Sequence, residues 1–211
     1  MTPAAHKHLS TCDPVMRQLI RKHGKCRLVP EMRRAPFQSL VMAIAHQQLN
    51  GTAANSILGR FKKLFPGRKF PRAKDLAGVS DQQLRACGFS FAKIKSIRDI
   101  TAKALDGTIP SARQIVKLSD DEIITRLVEV RGVGRWTVEM LLIFQLGRRD
   151  VLPVDDFGVR SGFRAAYKKR EMPKPKALLA FGEKWKPHRT TATWYLWCAA
   201  DAAKDAAKKK K

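Results

Sequence analysis

The chain has 211 residues, 44% of them hydrophobic, with 42 Lys+Arg against 18 Asp+Glu and a formal net charge of +24 at pH 7. That length holds one sizeable core or two small lobes, and the cationic excess points to a polyanionic partner, because each Lys or Arg near a phosphate gains by releasing condensed counterions. No apolar run would cross a bilayer, MTPAAHKHLS lacks the apolar segment of a secretory signal, and Cys12, Cys26, Cys87 and Cys198 form no CxxC pair, which excludes the usual zinc and iron–sulfur patterns and predicts reduced, mostly buried thiols in a cytoplasmic protein, nucleoid-associated if bacterial.

After Asp13-Pro14, the residues Val15, Met16, Leu19 and Ile20 recur at helical spacing, and Gly24 closes this first predicted helix. CRLVPEMRRAPF, broken by Pro30 and Pro36, reads as a loop. Phe37 to Phe65 is periodic on both sides of Gln47-Gln48-Leu49-Asn50-Gly51, which predicts two helices meeting at a polar corner. Pro66-Gly67 ends the pair. Short helical patterns follow at Ala73 to Leu76 and from Ser80, which with Gln83 makes a capping signature, to Gly88. Phe91 to Leu105 is a longer amphipathic helix, with Lys93, Lys95 and Lys103 on its solvated or phosphate-facing side, and Gly107 stops it. Ser119 and Glu122 begin another capped helix, to Val130. Beyond Asp155-Asp156 the helices Phe157 to Lys169 and Ala177 to Trp185 flank a break at Pro173 and Pro175. The last helix begins at Pro187-His188-Arg189-Thr190, and DAAKDAAKKKK is a frayed helix end or a disordered basic tail. No period-two runs accumulate, so the predicted fold is all-α.

The stretch Leu127 to Phe157, LVEVRGVGRWTVEMLLIFQLGRRDVLPVDDF, carries the chemistry. Glycines spare the chain a steric cost at positive φ, and Gly132 and Gly134, with no side chains to hold a phosphate away, would present backbone N–H groups at a helix N-terminus. An ordinary helix–helix turn is the alternative, against which Arg131, Arg135 and the overall charge weigh. Asp155 and Asp156 open the next helix, where the dipole favours carboxylates, and capping alone would account for them.

The glycine turn, its spacing to Asp155-Asp156 and WKPHRTTATWYLW (Trp185 to Trp197) together resemble the helix-hairpin-helix (HhH-GPD) DNA glycosylase superfamily, in particular its 3-methyladenine DNA glycosylase II branch, over about Phe37 to Trp197. The resemblance implies two helical lobes with a DNA-binding cleft between them. Residues 1–36 and 110–200 would form one lobe, with the hairpin at about 120–145; residues 37–109 would form a central lobe carrying the wedge loop, and 201–211 a basic tail. It further implies Asp156 as the catalytic carboxylate, with Asp155 as the helix cap. Trp136, Met140, Phe157 and Trp197 would line the base pocket, Met140 being equally suited to a core. Gln48 or Leu49 would be the wedge, and Gly132, Gly134, Arg135 and Thr137 would contact DNA. The backbone carbonyls of Val128, Val130 and Val133 would hold a structural Na+ or K+, with no catalytic cofactor, zinc or iron–sulfur cluster.

The implied activity is excision of alkylated purines, of the 3-methyladenine and 7-methylguanine class, from double-stranded DNA in base excision repair, by a monomer. A single carboxylate suits a leaving group already made cationic by alkylation, unlike the acid–base pair needed to protonate a sugar oxygen. Bifunctional relatives carry a lysine two residues after the second hairpin glycine. Trp136 stands there, which implies hydrolysis without strand cleavage. The N-terminal β domain of some relatives is expected to be absent, since only some thirty-five residues precede the first matching helix. The competing readings are a non-catalytic helix-hairpin-helix DNA-binding module and a glycosylase for deaminated or etheno purines.

Overall fold

The computed structural model describes residues 2–209, which form helices and a 3-10 turn, with no strand among them. The chain divides into two compact units, Met1–Pro30 with Leu142–Lys211, and Glu31–Leu141. No helix among the described residues is long and apolar enough to cross a membrane.

In the first unit α1 (Pro3–Cys12) and α2 (Pro14–His23) each begin with proline, whose fixed φ suits the first helical position. They meet at Asp13, which is 1% exposed. One of its carboxylate oxygens accepts the amides of Val15 (2.9 Å) and Met16 (3.3 Å), capping α2. The other accepts the Tyr167 hydroxyl (2.5 Å), the Trp185 indole N–H (2.9 Å) and the Lys184 ammonium (3.1 Å). Asp13 thereby joins the N-terminal helices to Tyr167, at the end of α11 (Phe157–Ala166), and to the 3-10 turn Gly182–Trp185 that follows α12 (Pro175–Phe181). Leu9, Met16, Val159, Phe163, Trp185 and Leu196 share one core cluster. The long α13 (Arg189–Lys208) packs on α11 at Gly162, where an added Cβ would stand 1.8 Å from the Leu196 carbonyl oxygen.

Several expectations shift here. α1 had no sequence signal, because only Ala5 and Leu9 of its ten residues are buried and no apolar stripe results. Pro175 opens α12 instead of breaking it. Alanine-rich sequence carries α13 to Lys208, so the tail begins as helix, while Lys210 and Lys211 lie outside the described residues. Of the free thiols only Cys87 is buried; Cys12, Cys26 and Cys198 are half-buried, and burial pushes the Cys26 thiol up to about 11.

In the second unit α3 (Pro36–His46) and α4 (Gly51–Lys63) meet at the expected polar corner. Short helices follow: α5 (Ala73–Ala77), α6 (Asp81–Ala86) with its Ser80/Gln83 capping box, and, beyond α7 (Phe91–Leu105), α8 (Ala112–Ile115) and α9 (Asp120–Leu127) with its Ser119/Glu122 box. α7 packs on α3 and α5 and buries Ile94, Ile97 and Ile100. Phe61 stands edge-on to Phe65 and Phe89. The boundary between units falls inside α10 (Arg135–Phe144).

The hairpin therefore belongs with the central helices, not with the terminal segments as the resemblance implied. Side chains of α7 hold it there. Asp99 Oδ2 accepts the Arg131 amide (2.7 Å) and the Lys103 ammonium (3.1 Å), and Lys103 also donates to the Glu129 carbonyl.

Burial acts to raise the Asp13 pKa, but the hydrogen bonds from Tyr167, Trp185, Lys184 and the Met16 amide outweigh it and hold the carboxyl below its usual range. A carboxylate depressed by folding contributes stability that is complete above the unfolded pKa of about 3.9 and is lost as pH falls through the folded value. Asp13→Ala, which leaves the Tyr167 and Trp185 donors unpaired, is expected to cost about 3 kcal/mol in urea unfolding at pH 7 and to flatten the acid limb of the stability profile. An unchanged midpoint would contradict this role.

Candidate functional site

The glycine turn joins α9 to α10. Gly132 adopts φ +78°, and a Cβ there would meet Ser96 Oγ at 2.6 Å and Ile44 Cδ1 at 3.2 Å, so the fold itself demands glycine. Gly134 differs: its φ lies outside the left-handed region and an added Cβ would meet nothing within 4 Å. Only the second reason for glycine, space for an approaching group, applies to it. Among the described residues the amides of Gly132 and Gly134 donate to no acceptor, whereas those of Arg131 and Val133 are taken by Asp99 and by the Val130 carbonyl. Two unengaged N–H groups thus stand at the start of α10, where the dipole favours an anion. Arg135 is exposed, with its Nε 3.1 Å from Oε1 of the buried Glu139, and Thr137 is buried.

The polar corner lies in the same unit. Gln48 takes φ +56°, unusual for a residue with a side chain, and both Gln48 and Leu49 are exposed. Asn50 accepts the Ala53 amide at 2.8 Å and so caps α4. Lys93 is not a phosphate-facing side chain as expected: its ammonium turns inward to the carbonyls of Ala45 and Gln47, both at 2.9 Å, and burial lowers its pKa. Lys103 is likewise engaged, and only Lys95 of the three is exposed.

The aspartates lie in the other unit. The N-cap of α11 is Asp156, one residue later than expected, and Asp155 is exposed. The turn closed by the Asp156 amide on the Pro153 carbonyl (3.1 Å) places Asp156, not Asp155, at the helix entrance. Its Oδ1 accepts the Val159 amide at 2.7 Å and the Trp197 indole N–H at 2.9 Å. Gly158 makes room, since a Cβ there would lie 2.9 Å from Trp197 Cδ1 and 3.1 Å from Asp156 Oδ1. Phe144 stacks on Trp197 with ring centroids 5.5 Å apart, and Phe157 is 70% exposed beside the carboxylate in sequence. The loop leading to Asp156 is clamped to the start of α13: Arg189 forks onto Asp150 (2.9 and 3.0 Å), Thr190 Oγ1 accepts the Val151 amide, and Thr193 donates to the Val151 carbonyl. This is the structural work of the HRTTAT run.

Trp136 is 47% exposed and Met140 half-buried; both belong to the other unit. Sequence reading missed Phe144, Gly158 and Gly162. For the two glycines a signal existed, as a glycine inside a helix with no turn to explain it marks a close approach.

A hairpin with unengaged glycine amides, an exposed corner tip and a carboxylate beside aromatic rings define a helix-hairpin-helix protein suited to handling DNA. Residues 41–188 match the HhH-GPD superfamily of base excision DNA repair proteins, and the chain belongs to it. It is 40% identical over 194 residues, 92% of this chain and 85% of the relative, to DNA-3-methyladenine glycosylase 1 of Schizosaccharomyces pombe. The solved structure of the S. pombe 3-methyladenine DNA glycosylase Mag1 in complex with abasic DNA is similar with a TM-score of 0.82 at 39% identity, covering 92% of this chain and 95% of that one. A DNA-3-methyladenine glycosidase from Bacillus halodurans gives a TM-score of 0.85 at 35% identity, covering 94% and 89%.

The two hairpin glycines should separate in experiment. Gly132→Ala is expected to destabilise the protein by about 2 kcal/mol or more, from positive φ and overlap with Ser96. Gly134→Ala should keep the wild-type Tm and weaken binding to undamaged duplex by about tenfold, as one phosphate contact is lost. Calorimetry and fluorescence anisotropy read the two effects, and equal losses of stability would contradict the distinction.

Proposed function

We propose that this chain is a monofunctional DNA glycosylase that hydrolyses the N-glycosidic bond of alkylated purines, of the 3-methyladenine and 7-methylguanine class, in double-stranded DNA as a step of base excision repair. The observation that carries this reading is Asp156, which caps α11 and binds Trp197, in a chain 40% identical to a DNA-3-methyladenine glycosylase. The enzyme acts as a monomer, in the cytoplasm and on the nucleoid in a bacterium.

The amides of Gly132, Gly134 and Thr137, with Arg135, grip the backbone. The damaged nucleotide leaves the stack, and Gln48 or Leu49 fills the gap. The cationic base stacks on the electron-rich faces of Phe157 and Trp197, worth about 0.5–2 kcal/mol per well-placed ring. As the glycosidic bond breaks, the base departs with the bonding pair and becomes neutral, so little general acid is required. Positive charge develops on the sugar, where the Asp156 carboxylate, oriented by the Val159 amide and the Trp197 indole, stabilises it and orients water toward C1′. Water adds at C1′ and its proton passes to the carboxylate and on to solvent, leaving an abasic site. Trp136 offers no amine for a Schiff base, so the strand stays intact.

No catalytic cofactor enters this chemistry. A monovalent cation at the hairpin is supported by its carbonyls. Those of Val128 and Val133 accept no hydrogen bond among the described residues, and that of Val130 accepts one, from Val133. Oxygen donors of this kind suit Na+ or K+, which these three carbonyls would hold and whose positive charge would favour a phosphate at the hairpin.

Asp156→Asn is expected to slow single-turnover release of 7-methylguanine from duplex DNA by about 100- to 1,000-fold while duplex affinity stays within about twofold. A wild-type protein that releases no base, or a variant within a few-fold of wild type, would contradict the mechanism. Strand scission without alkali would contradict the monofunctional assignment.

A further inference from the structure

At the end of α3 the carbonyls of Ala45 and Gln47 have no donor from a following helical turn, the usual condition of a helix C-terminus. Lys93, reaching across from α7, supplies both bonds with one ammonium at 2.9 Å, and its charge suits the negative end of the α3 dipole. Gln47 is also tied sideways: its Nε2 donates to the carbonyl of Gly132 at 2.9 Å. The same Gly132 packs against Ile44 of α3 and Ser96 of α7. On the far side of the corner Asn50 caps α4. What remains between these anchors is a two-residue tip, Gln48-Leu49, exposed and with Gln48 in a left-handed conformation that persists only where the flanks impose it.

We infer that Lys93 and Gln47 are positioning residues that lock the Gln48-Leu49 tip to the glycine hairpin, so that seating the hairpin on the DNA backbone fixes where the tip enters the base stack. The inference rests on the glycosylase reading above and deepens it. Neither residue touches the reacting atoms. Lys93 spends its charge on protein carbonyls instead of phosphate, and Gln47 spends its amide on the hairpin backbone. Loss of either link frees the tip while the hairpin amides keep their grip, so the cost falls on extruding the base and not on holding the duplex.

The test compares Lys93→Met and Gln47→Ala with wild type in single-turnover release of 7-methylguanine from two DNAs, one fully paired and one with the lesion inside a three-nucleotide bubble between paired arms. Both variants should release base about tenfold more slowly from paired DNA and within about twofold of wild type from the bubble, where the unpairing is already done. Their affinity for undamaged duplex should stay within about twofold. The double variant should lose no more than the worse single one, since both act through one tip. Gln47→Ala removes only an exposed hydrogen bond, which keeps the test valid if Lys93→Met fails to fold. Equal losses on both DNAs, or no loss on either, would overturn the inference while leaving the glycosylase reading intact. A wild type silent on both DNAs would overturn that reading and this inference with it.

Discussion

The closeness of α11 to α13 at Gly162 is the constraint on which the carboxylate end of the protein depends. With an added Cβ at 1.8 Å from the Leu196 carbonyl oxygen, no residue but glycine lets the two backbones meet. Leu196 immediately precedes Trp197, and Gly158 lies one helical turn before Gly162. The contact therefore delivers the indole N–H to Asp156 at 2.9 Å over a second glycine that leaves it room. Burial of Val159, Phe163, Tyr195 and Leu196 around the crossing provides the driving force, at about 1.5–3 kcal/mol for each fully buried large side chain. The geometry of the site is thus a consequence of core packing, with the hydrogen bond to Trp197 as its outward end.

In a chain with 42 basic and 18 acidic residues, three aspartates do a disproportionate share of the organising. Asp13 binds two amides, a phenol, an indole and an ammonium, and closes the terminal unit. Asp99 takes the Arg131 amide and keeps the hairpin on α7. Asp156 takes the Val159 amide and the Trp197 indole. Each accepts a backbone N–H that would otherwise go unpaired at a helix start or a turn, and each accepts a further donor from elsewhere in its unit. Lys93 and Lys103 show that the sign of a charge alone does not tell which role it takes.

Local chemistry was legible in the sequence. Capping pairs such as Ser80/Gln83 and Ser119/Glu122 act within one turn, and the periodic run Phe91–Leu105 emerged with the bounds its pattern predicts. The all-α class, the polar corner and the glycine turn were readable for the same reason. What was not legible depends on partners distant in the chain. The inward turn of Lys93 is set by carbonyls 46 and 48 positions away. The attachment of the hairpin to the central helices is set by Asp99, 32 positions before Arg131. Between Asp155 and Asp156 the choice of cap turned on one turn at Pro153, and the sequence pattern is identical for either. Phe144 gained its place by stacking on a ring 53 positions later, which no helical period announces.

The central claim is that the carboxylate of Asp156 faces positive charge as it develops on the sugar, and the most direct measurement uses a charged mimic of that state. Duplex DNA carrying a pyrrolidine in place of the damaged nucleoside, cationic where the sugar becomes cationic, is compared with the same duplex carrying a neutral tetrahydrofuran. Wild-type protein should bind the cation at least about a hundredfold more tightly, as expected of a transition-state mimic, and Asp156→Asn should lose most of that preference while binding the neutral analogue as before. A preference that survives the substitution undiminished would place the electrostatic stabilisation elsewhere and leave Asp156 only the cap of its helix.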